Sequence, residues 1–135
     1  MTPTTTHTHT LAAILFAIVS YVGGYVVWNH IFHVTDAPTG FGHSAGLSLL
    51  PLFGLFLVGY VVTFFYSHLS HLGTVMFSLI IWLLMVGTST IPMMSISPVT
   101  DTVLIASLFD HLVTAFVGTY VISKVLAGTM APATH

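Results

Sequence analysis

An acid and an imidazole, Asp110 and His111, stand side by side in the middle of an otherwise apolar stretch, TVLIASLFDHLVTAFVGTYVISKVLA, at 102–127. A charged side chain in hydrocarbon costs from about 3 kcal/mol on insertion scales to more than about 10 kcal/mol in simulations, so such a residue is kept for a reason. Ser107, His111, Thr114 and Gly118 follow one another at steps of four, three and four, a single stripe of a helix, and Asp110 flanks that stripe. A carboxyl, an imidazole and two hydroxyls on one face make a proton relay or a ligand site. The plainer alternative is a structural polar pair that ties helices together by interhelical hydrogen bonds, each contributing about 0.6 kcal/mol in membranes. Counted from Asp101 at ~1.5 Å per residue, Asp110 lies roughly 13 Å down its helix, near the bilayer centre. The face is expected to point into a bundle, where Thr88, Ser89 and Thr90 of the preceding segment and Ser20, Gly23 and Gly24 of the first are available to it.

A second set is made of histidines. His30 and His33 are three apart and share a helix face, and His43 is expected on the same side of the membrane. Neutral imidazole is a common metal ligand, so these three are candidate ligands; otherwise they are interfacial histidines that hold water and headgroups. His68 and His71 repeat the spacing at the opposite surface, and Trp28 suits the interfacial aromatic belt. A haem between two facing helices needs histidines at matching depth. His111 sits roughly 15 Å below the start of its helix while the others lie near the surfaces, which disfavours a haem within one copy and leaves open a symmetric dimer using His111 twice. A metal ion or a haem is thus the cofactor alternative, with electron transfer as its function. No nucleophile–base set or acid pair can be assembled, so the chain is not expected to be an enzyme by itself.

The elements that must carry these residues follow from composition. Of 135 residues, 56% are hydrophobic and 3% charged, against roughly 25% charged in soluble domains; the solvent that suits such a surface is lipid. The charged residues are Asp36, Asp101, Asp110 and Lys124, with no cysteine. Disulfides, thiol chemistry and iron–sulfur clusters are thereby excluded, and without a basic patch nucleic acid is not a partner. Four apolar runs, at about 11–32, 45–66, 72–93 and 102–127, each approach the ~20 residues that span a bilayer. In lipid the backbone must satisfy its own hydrogen bonds, so the runs are helices. The sequence therefore predicts an all-α, polytopic membrane protein with four transmembrane helices in an up-down bundle, sequential helices packing as neighbours because their connections are short. Residues 1–10 read as a polar N-terminal tail, with His7 and His9 in it, and 128–135 as a C-terminal tail. Pro92 and Pro98 bracket the third connection, and Thr100 or Asp101 offers an N-cap for the fourth helix. Lys124 is the one residue that the positive-inside rule counts, and it places both termini in the cytoplasm of a cell-membrane protein.

Three stretches carry a resemblance: GGYVVWNHIF (23–32), LGTVMFSLIIW (72–82) and LIASLFDHLVTAFVG (104–118). They are similar to a bacterial family of small four-helix integral membrane proteins of unknown function, which shows a Gly followed by a Trp late in helix 1, a Gly-led helix 3, and a fourth helix with an aromatic, a His and then a Gly. The chain departs from that pattern in placing Asp110 before the histidine and Asn29 where an aromatic is expected. The resemblance implies the fold and assigns no activity. A bundle this small encloses little alone, so a homo-oligomer, or an accessory subunit among other membrane subunits, is expected alongside a transporter-like unit.

Overall fold

The computed structural model describes residues 3–33, 49–96 and 100–130. All of its regular structure is helical: α1 (Pro3–Tyr25), α2 (Leu49–Leu69), α3 (Thr74–Met85), α4 (Ile91–Ile96) and α5 (Asp101–Met130), with π-helical turns at Val26–Ile31 and Val86–Thr90 and a 3-10 turn at Ser70–Leu72. The first π turn continues α1, and the second joins α3 to α4 in one rod. Four helical rods result, each long and apolar enough to cross a membrane: Thr6–Ile31, Pro51–Leu72, Thr74–Ser95 and Asp101–Gly128. Large apolar side chains such as Val22, Phe53, Val75, Leu83, Ile91 and Tyr120 face outward, as they must where the surroundings are acyl chains. This is a multi-pass membrane protein.

Helix ends differ from expectation in three places. The segment expected as a polar tail at 1–10 is helical from Pro3, where proline's missing N–H is one a helix start leaves unpaired in any case. Its threonines can satisfy themselves within the helix, as Thr10 does by donating from Oγ1 to Thr6 O at 2.8 Å. Thr8 and His9 are buried, which removes His9 from the expected tail. At the third connection, the helix runs through Pro92 to Ile96; Pro98 lies outside the described residues. The π turn just before Pro92 pairs the Ile91 N–H with Val86 O, a local adjustment of the kind that lets a membrane helix carry a proline. The reversal between α2 and α3 falls at Gly73, whose φ of 85° favours glycine. Thr100 proves to be the cap of α5, its Oγ1 accepting the Val103 N–H at 3.3 Å.

The packing order also departs from the sequence order. α1 and α5 form the most extensive contact; α2 lies against α1 and α3 against α5, while α2 and α3, joined by the tightest connection, barely touch. The fourth span is accordingly the best covered, with 44% of its most apolar window buried against 17% for the second span. Glycine explains the close approach. The Phe16 ring of α1 occupies a notch between Gly59 of α2 and Gly118 of α5, where an added Cβ would come within 2.8 and 2.4 Å of it. Small residues at such crossings let backbones approach and gain dispersion contacts, the main attraction between helices in lipid. Around Phe16 lies the larger apolar cluster, including Ala12, Val62, Phe77, Ile81 and Ala115. A smaller one, Trp28 and Ala106 with Phe32 and Val103 against them, closes the other end.

Candidate functional site

Near the smaller cluster, polar side chains from the first and third rods meet one stretch of α5. Asp110 is 5% exposed. Its only hydrogen bond among the described residues comes from Trp28, whose indole Nε1 donates to Oδ2 at 3.2 Å. Trp28 stands in the π turn that ends the first rod and is fully buried. It is therefore no member of an interfacial belt: its ring fills the gap beside Ala106, and its polar edge finds the buried Asp110 carboxyl. The second tryptophan behaves alike, for Trp82 Nε1 donates to Leu108 O at 3.1 Å. Both indoles thus engage neighbouring residues of α5 from opposite rods.

Ser107, one turn before Asp110, shares a hydrogen bond of 2.8 Å between its Oγ and Thr90 Oγ1. Of the three hydroxyls expected from the third rod, Thr90 makes this contact; Thr88 turns back to Leu84 O at 2.8 Å. Thr90 closes the second π turn, so both π turns among the described residues deliver a side chain to this polar layer. Such turns recur at functional sites. They shift the face a helix presents, and here they bring Trp28 and Thr90 round to α5.

Of the expected stripe on α5, Ser107, Thr114 and Gly118 are buried, as is Asp110, which flanks it. His111 is half-buried, and its Nε2, itself buried, has no hydrogen-bond partner among the described residues. Ser20 of α1 is 3% exposed and its Oγ is likewise without a partner. The register between α1 and α5 is set by Trp28 on Asp110, by Gly23 against Val113 (3.4 Å from an added Cβ to Cγ1) and by Phe16 on Gly118. Ser20 falls between the last two crossings.

Of the histidines expected as metal ligands, two lie within the described residues. His30 and His33 are exposed. The His30 ring stands edge-on to Tyr25 with centroids 5.5 Å apart, and His33 takes a φ of 55° just past the π turn. His43 lies outside the described residues. Among the described residues no group of three His, Cys, Asp or Glu is placed to hold a metal ion. His68 bonds within its own helix, its Nδ1 lying 3.0 Å from Phe64 O.

No protein-family model, curated protein or solved structure matches the chain. The chemistry must therefore be read from the site itself. A buried carboxyl with one oxygen held by an indole N–H, a hydroxyl pair beside it and an imidazole next in the chain can bind, release and pass a proton.

Proposed function

We propose that the protein is a small transporter-like membrane unit whose working centre is the Asp110 carboxyl, which exchanges a proton within the bilayer with His111 as its neighbour in the relay. The observation that carries this reading is a nine-tenths buried carboxyl, inside a membrane-spanning helix, held by a single indole hydrogen bond. Carboxylates retained at such depth typically mark ion pathways and proton relays. Ser107 with Thr90, and Thr114, supply hydroxyls along the same face. The three stretches that resemble a family of small four-helix membrane proteins supply Trp28, Trp82 and 107–114, the residues that converge here. Lys124, close to the end of α5, supports cytoplasmic termini in a cell-membrane protein, an orientation that would set Trp28 and Asp110 toward the outer side.

Purified protein in liposomes with a trapped pH dye, driven by a potassium diffusion potential, tests the reading. Wild-type protein should carry protons above the level of empty liposomes, Asp110→Asn should abolish the flux, and His68→Ala should leave it unchanged. Equal flux in wild type and Asp110→Asn would rule the reading out.

A second reading, an accessory subunit or homo-oligomer, is favoured by one feature. α2 and α3 leave between them an apolar groove of 370 Å³, lined by Val58, Val61, Phe65, Ile81, Leu84 and Thr88 among others. Lipid chains fill such a groove, and so does a helix of another subunit. Native mass spectrometry from lipid nanodiscs distinguishes the two by stoichiometry.

A further inference from the structure

Buried polar groups of α1 and α5 fall on two sides of one aromatic ring along these helices. On the Trp28 side of Phe16 lie Ser20, Thr114, Asp110 and the Nε2 of His111. On the other side, about 10 Å along α1, lies His9, 5% exposed. Thr119, fully buried, stands one residue beyond the glycine that holds the ring. Four side-chain atoms of α1 and α5 are buried without a partner among the described residues: His9 Nδ1, Ser20 Oγ, His111 Nε2 and Thr119 Oγ1.

Their lack of partners is unusual for this chain. Hydroxyls elsewhere in its helices donate to a carbonyl one turn back, as Thr63 does to Gly59 O at 2.7 Å, Ser78 to Thr74 O at 2.7 Å and Ser123 to Tyr120 O at 2.7 Å. Buried polar groups almost always find a partner in protein or in ordered water, and in hydrocarbon an unsatisfied one costs several kcal/mol. Water is the ligand that serves a hydroxyl and an imidazole alike. Ser20 and His111 call for it on one side of Phe16, and His9 on the other.

Phe16 closes the way between them. Its ring is fully buried and wedged against two helices at once, since a Cβ on Gly118 would meet Cε2 at 2.4 Å and one on Gly59 would meet Cδ1 at 2.8 Å. No water file passes a ring seated that tightly, and hydrophobic constrictions gate pores by this dewetting.

We propose that Phe16 is the hydrophobic gate of a hydrated proton path that runs between α1 and α5 from Asp110 to His9. The proposal rests on the reading of Asp110 as a proton-exchanging centre. In one passage an O–H bond at Asp110 breaks and its proton moves to water beside Ser20 and His111. With the ring swung aside, the proton reaches water at His9 and an N–H bond forms at Nδ1. His9 then releases it at the near surface, and Asp110 takes a new proton from the opposite one.

The test uses the full chain in dye-loaded liposomes. Phe16→Ala should raise the flux about tenfold or more and Phe16→Leu by a smaller factor. His9→Ala should lower it, and Asp110→Asn added to Phe16→Ala should abolish it. Flux that needs Asp110 but is unchanged in both Phe16 variants would overturn the gate and leave the Asp110 reading standing. Flux that persists in the Phe16→Ala, Asp110→Asn double variant would be a leak through a packing defect, and would also overturn the gate. Absence of flux in every variant would overturn both. Phe16→Leu keeps most of the ring's volume, so a folding failure of Phe16→Ala leaves the test intact.

Discussion

At the scale of single residues, the Trp28–Asp110 bond separates a functional centre from a structural one. Asn in place of Asp110 keeps a carbonyl oxygen where Oδ2 accepts the indole N–H, so Asp110→Asn should change stability by less than about 1 kcal/mol, the scale of an interhelical bond in lipid, while removing proton exchange. Trp28→Phe should do the reverse: it deletes the donor and shrinks a fully buried ring, costing about 1–3 kcal/mol. Loss of helical signal on titration with a denaturing detergent measures both. Asp110 and Ser107 were legible in the sequence because helical spacing alone groups them. Trp28 was not. A tryptophan a few residues from a helix end suits a membrane interface as well as a buried acid, since its ring is apolar and its edge polar. His9 was hidden by its neighbours, a run of threonines that reads as a tail until the Thr10 hydroxyl is seen to bond within the helix.

Helices are the next scale, and glycine spacing governs it. Gly118→Ala drives a methyl into the Phe16 ring, and overpacking of this kind costs about 1–3 kcal/mol. Gly54→Ala meets nothing within 4 Å and should leave stability within about 0.5 kcal/mol of wild type. The two variants differ only in what the new Cβ touches, so unfolding them side by side checks the packing of α1 directly. Four spans could be counted from hydropathy because lipid demands some twenty apolar residues for each crossing. The two π turns could not: nothing in VVWNHI or VGTST distinguishes a five-residue hydrogen-bond step from a four-residue one. They are also what turns Trp28 and Thr90 toward α5, which is why the composition of the site was harder to read than its location.

For the whole molecule, chain order does not give packing order. α5 lies between α1 and α3, and α2 and α3 stay apart despite their tight connection, because the notch around Phe16 draws α2 to α1 while the Trp82–Leu108 bond and the Thr90–Ser107 pair hold the third rod on α5. Ser107→Ala should therefore loosen the third rod without disturbing the α1–α5 pair; cysteine cross-linking between introduced pairs, one across each contact, should show the first yield fall and the second hold. With three acids in the chain and only Asp110 among the described ones buried, the central claim has a direct test. Infrared difference spectra of the protein in lipid, recorded as the bulk pH is stepped, report protonation of individual carboxyl groups. A carboxylic-acid carbonyl band that rises and falls with pH and disappears in Asp110→Asn is the predicted result. A spectrum in which every pH-dependent carboxyl band survives Asp110→Asn would contradict the account, because it would mean that the buried carboxyl never exchanges its proton with water.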